Sequence, residues 1–471
     1  MPSILGANTL SSGYDVDNSA RFDQPDGADT LRLAAAGNDG DPKHWTLSMW
    51  IKRSKLATLQ HVWSWSANNT NAEGGFAFDT NDQIFFISDG QNGSTNEIDG
   101  VFKDPSAWFH LVWACDADNG TNALRWRVYI NGVERAITGD PTIQDANGII
   151  NRGSSQEHWI GGRARSLNSN VSDASFFSGY LAEVVFIDDS TLGPTSFGEF
   201  DDDTEIWKPI DVSDLTFGAE GYYLDFENAA ELGTDVSGNS NTFTESNISD
   251  VHQTTDTCTN NFATMNPLNV PVANAPVFSN GNLNLDSAAN ANKFHGSSTI
   301  GVSKGKWYME FKPKSGDYSF LGITGDPGED ARNEVNPGYS ATGYGYYQGN
   351  GNVSNNNNSS SYGNSYNSSG DIIGVALNID DNELKFYKNG TVQNSDTAIS
   401  ITAVASTPAG AYFFTMGDAA ADSSSKAIAN FGNPDYANSS SASDGNGYGD
   451  FEHAPPSGFY SLCTKNLAQF G

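Results

Sequence analysis

The sequence predicts an all-β protein with two antiparallel, jelly-roll-like β-sandwich domains joined by a Pro/Asn-rich connector. Its 49 glycines are typical of strands joined by frequent turns, and long helical patterns are absent. One strand-and-turn ending occurs twice, as VYINGV at 128–133 and as FYKNGT at 386–391. Because Asn-Gly tolerates the positive φ angles of a type I′ turn, each copy predicts a hairpin. Their separation along the chain places the two hairpins in different domains.

The clearest hairpin covers residues 371–390. Ile373 and Val375 alternate with small residues, which is the period-two pattern of a strand with one buried face. A polar turn follows, and the return strand ends at Asn389-Gly390. This hairpin indicates the centre of the second domain.

The first domain is predicted over residues 19–211. Its strand candidates have apolar residues at alternate positions and end at glycine or asparagine turns. They are TLSMWIK at 46–52, QHVWSWS at 60–66, WFHLVWAC at 108–115, WRVYING at 126–132, HWIGGR at 158–163 and GYLAEVVFIDD at 179–189. All of these segments except QHVWSWS, in this order over about residues 19–207, resemble the laminin-G-like family of concanavalin A-type lectins. The resemblance implies a two-sheet jelly roll that binds glycans or proteins, often with calcium.

Residues 212–270 are predicted to be a connector with extra strands, of which GYYLDF at 221–226 is the clearest. Two alternatives stay open for this segment: a pair of strands that closes the first sandwich, or a separate linker module. Three prolines between 260 and 276 fix φ and remove backbone donors, so a semi-rigid connection is expected there.

The second domain is predicted over residues 271–471, with a C-terminal extension. Four segments resemble a SPRY (B30.2-like) domain. They are GKWYMEF at 305–311, SFLGITGD at 319–326, the hairpin at 371–391 and IANFGNPDY at 428–436. The resemblance implies a bent two-sheet sandwich used for binding rather than catalysis.

The tandem arrangement is similar to that of virion surface (fibre) proteins of tailed phages. It implies a non-enzymatic adhesin that recognises host surface glycan or protein, with residues 1–18 as the virion-attachment segment. A capsid decoration or head-fibre protein and a glycan-depolymerising tailspike are the alternatives. The expected location is the virion surface, on tail or capsid, after synthesis in the host bacterial cytoplasm. The same context suggests contacts with other virion proteins and a homo-oligomer, guessed to be a trimer.

The composition excludes several classes of binding partner and site. The formal net charge of −33 repels phosphate backbones, so nucleic acid is not an expected partner. No apolar run reaches the ~18 residues of a membrane span, so membrane insertion is not expected. The three cysteines are scattered without CxxC spacing, which predicts neither a disulfide framework nor a zinc site and fits a reducing cytoplasm.

No catalytic residues are predicted. Glycan hydrolysis needs two carboxylates beside the scissile bond, and hydrolases of this fold carry a Glu-x-Asp-x-Glu strand. The nearest match is Glu199-Phe200-Asp201-Asp202-Asp203, which ends in Asp and lies among glycines and prolines rather than in an apolar alternating strand.

Calcium is the one cofactor suggested. It takes hard oxygen ligands, and several aspartates lie near the ends of predicted strands. The candidate ligands are Asp79, Asp188, Asp189, Asp201 and Asp203.

Ligand recognition is predicted in residues 338–370, where tyrosines lie among Asn, Ser and Gly. Tyrosine offers a large contact area at low entropy cost, and Asn amides match sugar hydroxyls as donors and acceptors. The candidate residues are Tyr339, Tyr344, Tyr346, Tyr347, Tyr362, Tyr366, Asn355 and Asn356. The alternatives are a flexible, low-complexity surface loop and, for Tyr346 and Tyr347, ordinary strand residues of which one faces the core. Trp50 is a further candidate as a sugar platform, because it faces away from the apolar stripe of its strand.

Overall fold

A computed structural model describes residues 13–23, 29–34, 41, 43–67, 73–87, 96–138, 156–166, 169–170, 175–271, 275–287, 294–316, 318–333, 335–367, 370–418 and 426–471. These residues form two compact units that divide between Asn260 and Asn261. The prediction of an all-β chain in two sandwiches is confirmed.

The strands of the first unit are mostly short and follow one another through tight turns. They are β1 Ser19–Phe22, β2 Thr30–Leu33, β3 His44–Arg53, β4 Gln60–Ala67, β5 Glu73–Phe78, β6 Ile84–Ile87, β7 Asn96–Ile98, β8 Phe109–Asp116, β9 Trp126–Ile130, β10 Val133–Arg135, β11 Ile137–Thr138, β12 Gln156–Ile160, β13 Ala164–Ser166, β14 Ser169–Asn170, β15 Gly179–Asp188, β16 Gly198–Phe200, β17 Trp207–Pro209, β18 Tyr222–Leu224, β19 Thr244–Ser246 and β20 Gln253–Thr254.

Two antiparallel sheets form the sandwich of the first unit. Sheet A has the order β10-β9-β8-β3-β15-β1-β20, with β18 also paired to β15. Sheet B has the order β11-β7-β6-β5-β4-β12-β2-β19, and the pairs β13–β14 and β16–β17 lie apart from both sheets. Alternate apolar residues of the two sheets, such as Leu47 of β3 and Trp63 of β4, meet in one core.

The outer face of sheet A is also buried, which sequence periodicity did not predict. Two smaller apolar clusters cover it: Val185 packs with Phe197 and Phe217, and Trp50 packs with Val16 and others. Consequently every residue of β15 is buried, although only half of them face the main core.

Residues 212–260 complete the first sandwich. Strand β18 pairs with β15 of sheet A, while β19 pairs with β2 of sheet B and β20 pairs with β1. The strands of this segment therefore close the first sandwich, which is the first of the two alternatives stated above. The unit ends at Asn260, ten residues before the boundary expected from the sequence.

The second unit contains fifteen further strands and two short helices in the described residues. They are β21 Val277–Ser279, β22 Asn284–Asp286, β23 His295–Ser297, β24 Lys306–Ser315, β25 Ser319–Thr324, α1 Pro327–Arg332, β26 Gly343–Tyr347, β27 Asn352–Asn355, β28 Asn358–Ser361, β29 Ile373–Asn378, β30 Glu383–Lys388, β31 Thr391–Val392, β32 Ile399–Ser400, β33 Phe413–Asp418, β34 Lys426–Asn430, β35 Tyr460–Ser461 and α2 Thr464–Phe470.

Two sheets again enclose one core. Sheet C has the order β21-β22-β34-β24-β29-β30-β31; β32 also pairs with β30, and β35 pairs in parallel with β24. Sheet D has the order β23-β33-β25-β26-β27-β28. The outer face of sheet C is covered by the C-terminal extension, where Phe451 packs on Tyr308 with ring centroids 5.3 Å apart.

Both hairpins predicted from Asn-Gly are confirmed. Asn131 and Gly132 have φ angles of 48° and 76°, and Asn389 and Gly390 have φ angles of 49° and 73°. These positive values at both central positions define type I′ turns. In chain order they join β9 to β10 and β30 to β31.

The predicted attachment segment and the predicted connector both contain buried residues. Of the predicted attachment segment, residues 13–18 are described, and the buried Val16 N donates to Thr259 Oγ1 at 3.1 Å. In the predicted connector, Phe262 and Met265 are buried in the second unit, and Ala263 N donates to Leu462 O at 3.0 Å. At these positions the segment expected to be a semi-rigid connector belongs to the packed second unit, because Ala263 and Met265 are part of its apolar core.

Candidate functional site

The tyrosine-rich stretch at 338–370 is part of sheet D rather than a loop. It supplies β26, β27 and β28, and a two-residue turn at Asn356 and Asn357, with φ angles of 49° and 57°, joins the last two strands. The turn is anchored, because Asn357 N donates to Gly338 O at 3.1 Å. Asn355 Nδ2 donates to Gly343 O at 2.8 Å and to Ala341 O at 3.0 Å, so both N–H groups of this amide are used within the domain.

Four of the six candidate tyrosines belong to the core, and their assignment as ligand contacts is wrong. They are Tyr344, Tyr346, Tyr362 and Tyr366. The first two lie on the inward face of β26, and the last two follow β28 and turn back into the sandwich. Buried hydroxyls find partners: Tyr366 OH donates to Tyr346 O at 2.9 Å, and Tyr362 OH accepts from Phe386 N at 3.2 Å. Burial raises the pKa of Tyr362 and Tyr366.

Three aromatic residues lie together at one end of sheet D, and we call them the aromatic strip: Tyr318, Phe320 and Tyr347. Phe320 and Tyr347 are cross-strand partners whose rings stack at 4.6 Å with an interplanar angle of 24°. Tyr347 is half-buried, and Tyr318 is 44% exposed. Tyr318 precedes Phe320 by two positions, a spacing that places both side chains on one face of an extended chain.

Polar groups continue the aromatic strip across the sheet. Tyr346 of β26 pairs with Val353 of β27, so Asn352 stands next to Tyr347 across the two strands. Asn352 is partly exposed. Asn352 Nδ2 donates to Ser359 Oγ at 3.0 Å, so its amide is held in place. Stacked rings beside amide and hydroxyl groups form the kind of surface that can receive the apolar face and the hydroxyls of a sugar.

Directly beside Phe320, whose cross-strand partner on β33 is Gly417, the same face is covered by Pro337. A Cβ atom at Gly345 would lie 2.3 Å from Pro337 O, and one at Gly417 would lie 2.4 Å from Pro337 Cδ. Pro337 therefore rests directly on the sheet at these glycines. Tyr339 follows this segment and is 44% exposed, so ligand binding by Tyr339 and by the exposed Asn356 stays a prediction.

Trp50 is not a sugar platform. Its side chain is 1% exposed and stacks on His110, with ring centroids 4.8 Å apart. The ring centroids of Trp207 and His110 are 6.0 Å apart with an interplanar angle of 21°, and Trp207 Nε1 donates to His110 Nδ1 at 3.0 Å. The periodicity placed Trp50 correctly on the outer face of its strand, but that face is covered by later parts of the chain.

The five candidate calcium ligands lie in three places and mainly cap turns. Asp79 Oδ1 accepts from the backbone of Gln83 at 2.8 Å, and Asp201 Oδ1 accepts from Asp203 N at 3.2 Å. Asp188 and Asp189 follow each other, and burial raises the pKa of Asp188 to about 6. The described residues contain no group of three acidic, His or Cys side chains placed to hold a metal ion. Calcium binding stays a prediction, which a calcium-dependent melting shift that magnesium does not produce would test.

The nearest match to a hydrolase motif is an ion-pair cluster. Lys208 Nζ lies 3.3 Å from Glu199 Oε1 and 3.2 Å from Asp201 Oδ2. Hydrogen bonds from Thr204 and Lys208 lower the pKa of Asp201 to about 2. A general acid for glycoside cleavage needs the opposite shift, so Asp201 is not suited to that role.

Sequence reasoning missed a buried acid at Glu183. A register shift between Ala182 and Val185 marks a β-bulge in β15, and Glu183 has a φ angle of 50°. Its Oε2 accepts from Tyr223 OH at 2.8 Å and from Tyr14 OH at 3.2 Å. Burial raises the pKa of Glu183 to about 8. The available signal was a single acid inside the apolar run YLAEVVFI.

A second buried acid, Glu310, lies on the outer face of sheet C. It accepts from the backbone N–H groups of Glu452 at 2.9 Å and His453 at 2.8 Å, and from Tyr308 OH at 3.2 Å. Burial raises its pKa to about 7. These bonds tie the C-terminal extension to the sheet, which indicates a structural role.

Two sandwiches with covered faces and a partly open aromatic strip define a tandem β-sandwich protein. Residues 25–193 match the concanavalin A-like lectin/glucanases superfamily, and residues 298–415 match the SPRY domain family. The chain thus carries a concanavalin A-like/laminin G domain followed by a SPRY domain, which confirms both resemblances. These lectin-like and SPRY folds support a binding function.

Solved structures with similarity include the SPRY domain of human HERC1, at 16% identity over 35% of this chain and 96% of that chain, with a TM-score of 0.27. A heptameric SAP-like pentraxin from Limulus polyphemus is 14% identical over 38% of this chain and 80% of its own, with a TM-score of 0.30. A candidate carbohydrate-binding protein from Bacteroides ovatus is 13% identical over 50% of this chain and 60% of its own, with a TM-score of 0.34. The search of curated proteins gave no match. Among the described residues, no helix is both long and apolar enough to cross a membrane.

Proposed function

We propose that this protein is a non-enzymatic adhesin of a phage virion that binds a glycan on the host surface through the aromatic strip of its SPRY domain. The observation that carries the proposal is the stacked pair Phe320–Tyr347 beside the exposed ring of Tyr318. Phe320 is only 8% exposed, so the rings that offer an apolar surface to sugar C–H groups are those of Tyr318 and Tyr347, and Asn352 offers an amide to the hydroxyls.

The electrostatic setting favours a neutral glycan over an anionic ligand. The chain carries a net charge of −33, whereas no charged residue occurs between Glu334 and Asp371. A ligand that docks on β26 and β27 meets two strands without charged side chains, but an anionic ligand must approach through the negative field of the whole molecule.

The virion location rests on the tandem arrangement of the two domains, which is similar to that in tailed-phage surface proteins. Under this proposal the chain folds in the host cytoplasm before assembly. Its three cysteines are buried as thiols, a state compatible with that compartment. Immunogold labelling of purified virions tests the location: label on tail fibres supports the adhesin, and label on capsids alone favours a decoration protein.

The binding site is tested with purified protein and host cells. Tyr318→Ala and Tyr347→Ala each remove one ring, and each is expected to weaken cell binding at least about tenfold, since a buried ring contact contributes of the order of a factor of ten in affinity. Leu268→Ala is the matched control, because Leu268 is also an exposed apolar residue of the second unit. Equal binding by all four proteins would reject the aromatic strip.

Two further measurements separate the alternatives. Pretreatment of host cells with periodate oxidises vicinal diols of sugars, so loss of binding supports a glycan receptor and retained binding favours a protein receptor. Release of reducing sugar from host polysaccharide by the purified protein would instead indicate the depolymerising tailspike.

A further inference from the structure

The outermost strand of sheet D has one free edge. Strand β28, Asn358–Ser361, is paired on one side with β27 and is exposed along its whole length. An exposed strand edge presents unpaired N–H and C=O groups that a further strand can pair with. Other strands at the ends of the described sheets often carry charged side chains, which discourage pairing with a further strand; β10 carries Glu134 and Arg135.

The turn that precedes β28 determines which backbone groups face outward. Asn356 and Asn357 form a two-residue turn, so Asn355 and Asn358 are the first hydrogen-bonded pair and Val353 with Ser360 is the next. The N–H and C=O groups of Ser359 and Ser361 consequently point away from β27. In the part of the chain that the structure describes, they have no partner.

Charge makes this edge suitable for self-association. Two copies of a chain with a net charge of −33 repel each other over most of their surface. The uncharged stretch between Glu334 and Asp371, to which β28 belongs, is a place where two copies can approach without opposing acidic side chains.

We propose that β28 pairs antiparallel with β28 of a second copy of this chain, which joins two copies of sheet D into one continuous sheet. With the two-fold axis at Ser360, Ser359 of each copy faces Ser361 of the other. Each such pair exchanges two N–H···O bonds, so the contact contains four backbone hydrogen bonds.

The pairing has a consequence that rests on the proposed function. A two-fold axis perpendicular to the sheet keeps both outer faces on the same side, so the two aromatic strips point in one direction. Five strand spacings separate the two β26 strands, which is about 24 Å. One multivalent glycan surface can then engage both strips, and avidity increases the effective affinity.

Sedimentation equilibrium of the full chain tests the pairing without any glycan. The wild type is expected to dimerise reversibly, and more tightly as salt screens the acidic surfaces. Ser359→Pro removes an outward N–H and blocks the edge but breaks no β27–β28 bond, so we expect the dimer to weaken at least about tenfold. Ser359→Ala keeps the N–H and is expected to dimerise normally.

A charge swap distinguishes lost pairing from a misfolded hairpin. The double substitution Ser359→Asp with Ser361→Asp places like charges opposite each other and is expected to give monomers. Ser359→Asp with Ser361→Lys places opposite charges across the same pairs and is expected to restore the dimer. A wild type that is monomeric at all concentrations, or a dimer or trimer that Ser359→Pro leaves unchanged, would overturn the proposal. These outcomes do not depend on glycan binding, so the two proposals fail separately.

Discussion

Asn131 and His110 are joined by two hydrogen bonds that extend the strand ladder by one rung. Asn131 N donates to His110 O at 2.9 Å, and Asn131 Oδ1 accepts from His110 N at 2.7 Å. The last regular pair of β8 and β9 is Leu111 with Ile130. Beyond it the backbone of Asn131 turns to positive φ, and the side-chain amide takes the place of the carbonyl that has turned away.

The second domain repeats this arrangement. Asn389 N donates to Ile372 O at 2.8 Å, and Asn389 Oδ1 accepts from Ile372 N at 2.8 Å. The short motif Asn-Gly therefore has two roles in both domains: it permits the type I′ turn, and its amide completes the pairing of the neighbouring strand. Glycine can serve the first role but not the second.

Substitution of Asn131 separates these roles. Asn131→Gly keeps the positive φ but leaves the His110 N–H without its acceptor, so we expect the first domain to lose about 1 kcal/mol of unfolding free energy. Asn131→Ala adds the cost of a left-handed conformation and is expected to lose about 1–2 kcal/mol more. Tryptophan fluorescence in a denaturant titration reports this domain, because nine of the ten tryptophans lie before residue 210.

Asn119→Gly is the comparison variant, since Asn119 also precedes a glycine but its side chain bonds within an exposed loop, to Thr121 N at 3.0 Å and Asp116 Oδ2 at 3.1 Å. If Asn131→Gly and Asn131→Ala destabilise the first domain equally, the left-handed conformation contributes nothing at this position. If Asn131→Gly has no effect, the hydrogen bond to His110 is not a source of stability.

Local sequence patterns predicted the strands well, because alternation and Asn-Gly turns act within a few residues. The two hairpins and the inward faces of β3 and β29 follow from such patterns. Burial of the outer faces could not be predicted in this way, since it depends on distant segments. Trp50 is covered by residues near positions 16, 207 and 258, which lie far away in the sequence.

The same distinction explains the errors at the candidate site. The composition of residues 338–370 indicated a recognition surface, but composition carries no strand phase. Tyr346 and Tyr347 are neighbours, and the pleat sends one into the core and the other to the outer face. Tyr318 was missed because it stands outside the tyrosine-rich stretch, two positions before Phe320, which the pairing of β25 with β26 places opposite Tyr347.

Lys52 and Asp256 form a buried ion pair in the first domain. Their Nζ and Oδ2 atoms are 2.7 Å apart, and both side chains are fully buried. Trp108 Nε1 also donates to Asp256 Oδ1 at 3.0 Å. Lys52→Met leaves the carboxylate without its counter-charge, so we expect the first domain to lose about 3–5 kcal/mol of unfolding free energy. Denaturant titration followed by tryptophan fluorescence measures the loss.

A double substitution checks the origin of that loss. Lys52→Met combined with Asp256→Asn removes both charges and keeps an acceptor for Trp108, so most of the lost stability is expected to return. A double variant that is as unstable as the sum of the single variants would show that packing, rather than the unpaired charge, causes the effect.

His110 is expected to make the first domain sensitive to acid. Trp207 Nε1 donates to its Nδ1, so the ring proton is on Nε2 and is directed to Ser48 Oγ at 2.8 Å. Burial lowers the pKa of His110 to about 3, whereas an unfolded histidine has a pKa near 6.5. Between these values the unfolded state binds a proton that the folded state does not, so stability falls as the pH falls.

The expected loss from His110 between pH 6.5 and pH 5 is about 2 kcal/mol. His110→Gln lowers the stability at every pH but is expected to remove this part of the pH dependence. The measurement is the slope of the unfolding free energy against pH, so the lower absolute stability of the variant does not obscure the result. An unchanged slope would contradict the assignment to His110.

Glu183 is expected to make the same domain sensitive to alkali. Its pKa in the folded state is about 8, because burial disfavours the charge, and an unfolded glutamate has a pKa near 4.3. The contribution of Glu183 to stability is therefore fully present below pH 4 and is lost as the pH rises through 8. Between pH 6 and pH 8 we expect a loss of about 2–3 kcal/mol, measured by tryptophan fluorescence.

Two variants identify the source of the alkaline loss. Glu183→Gln cannot ionise, so the loss that Glu183 causes between pH 6 and pH 8 is expected to be absent and only the pH dependence of other groups, such as His110, to remain, while the exposed control Glu231→Gln keeps the wild-type slope. Tyr223→Phe removes the hydrogen bond that lowers the pKa of Glu183, so the loss of stability is expected to continue to a higher pH than in the wild type. A shift to lower pH in Tyr223→Phe would mean that the carboxyl group is not held in its protonated form by burial.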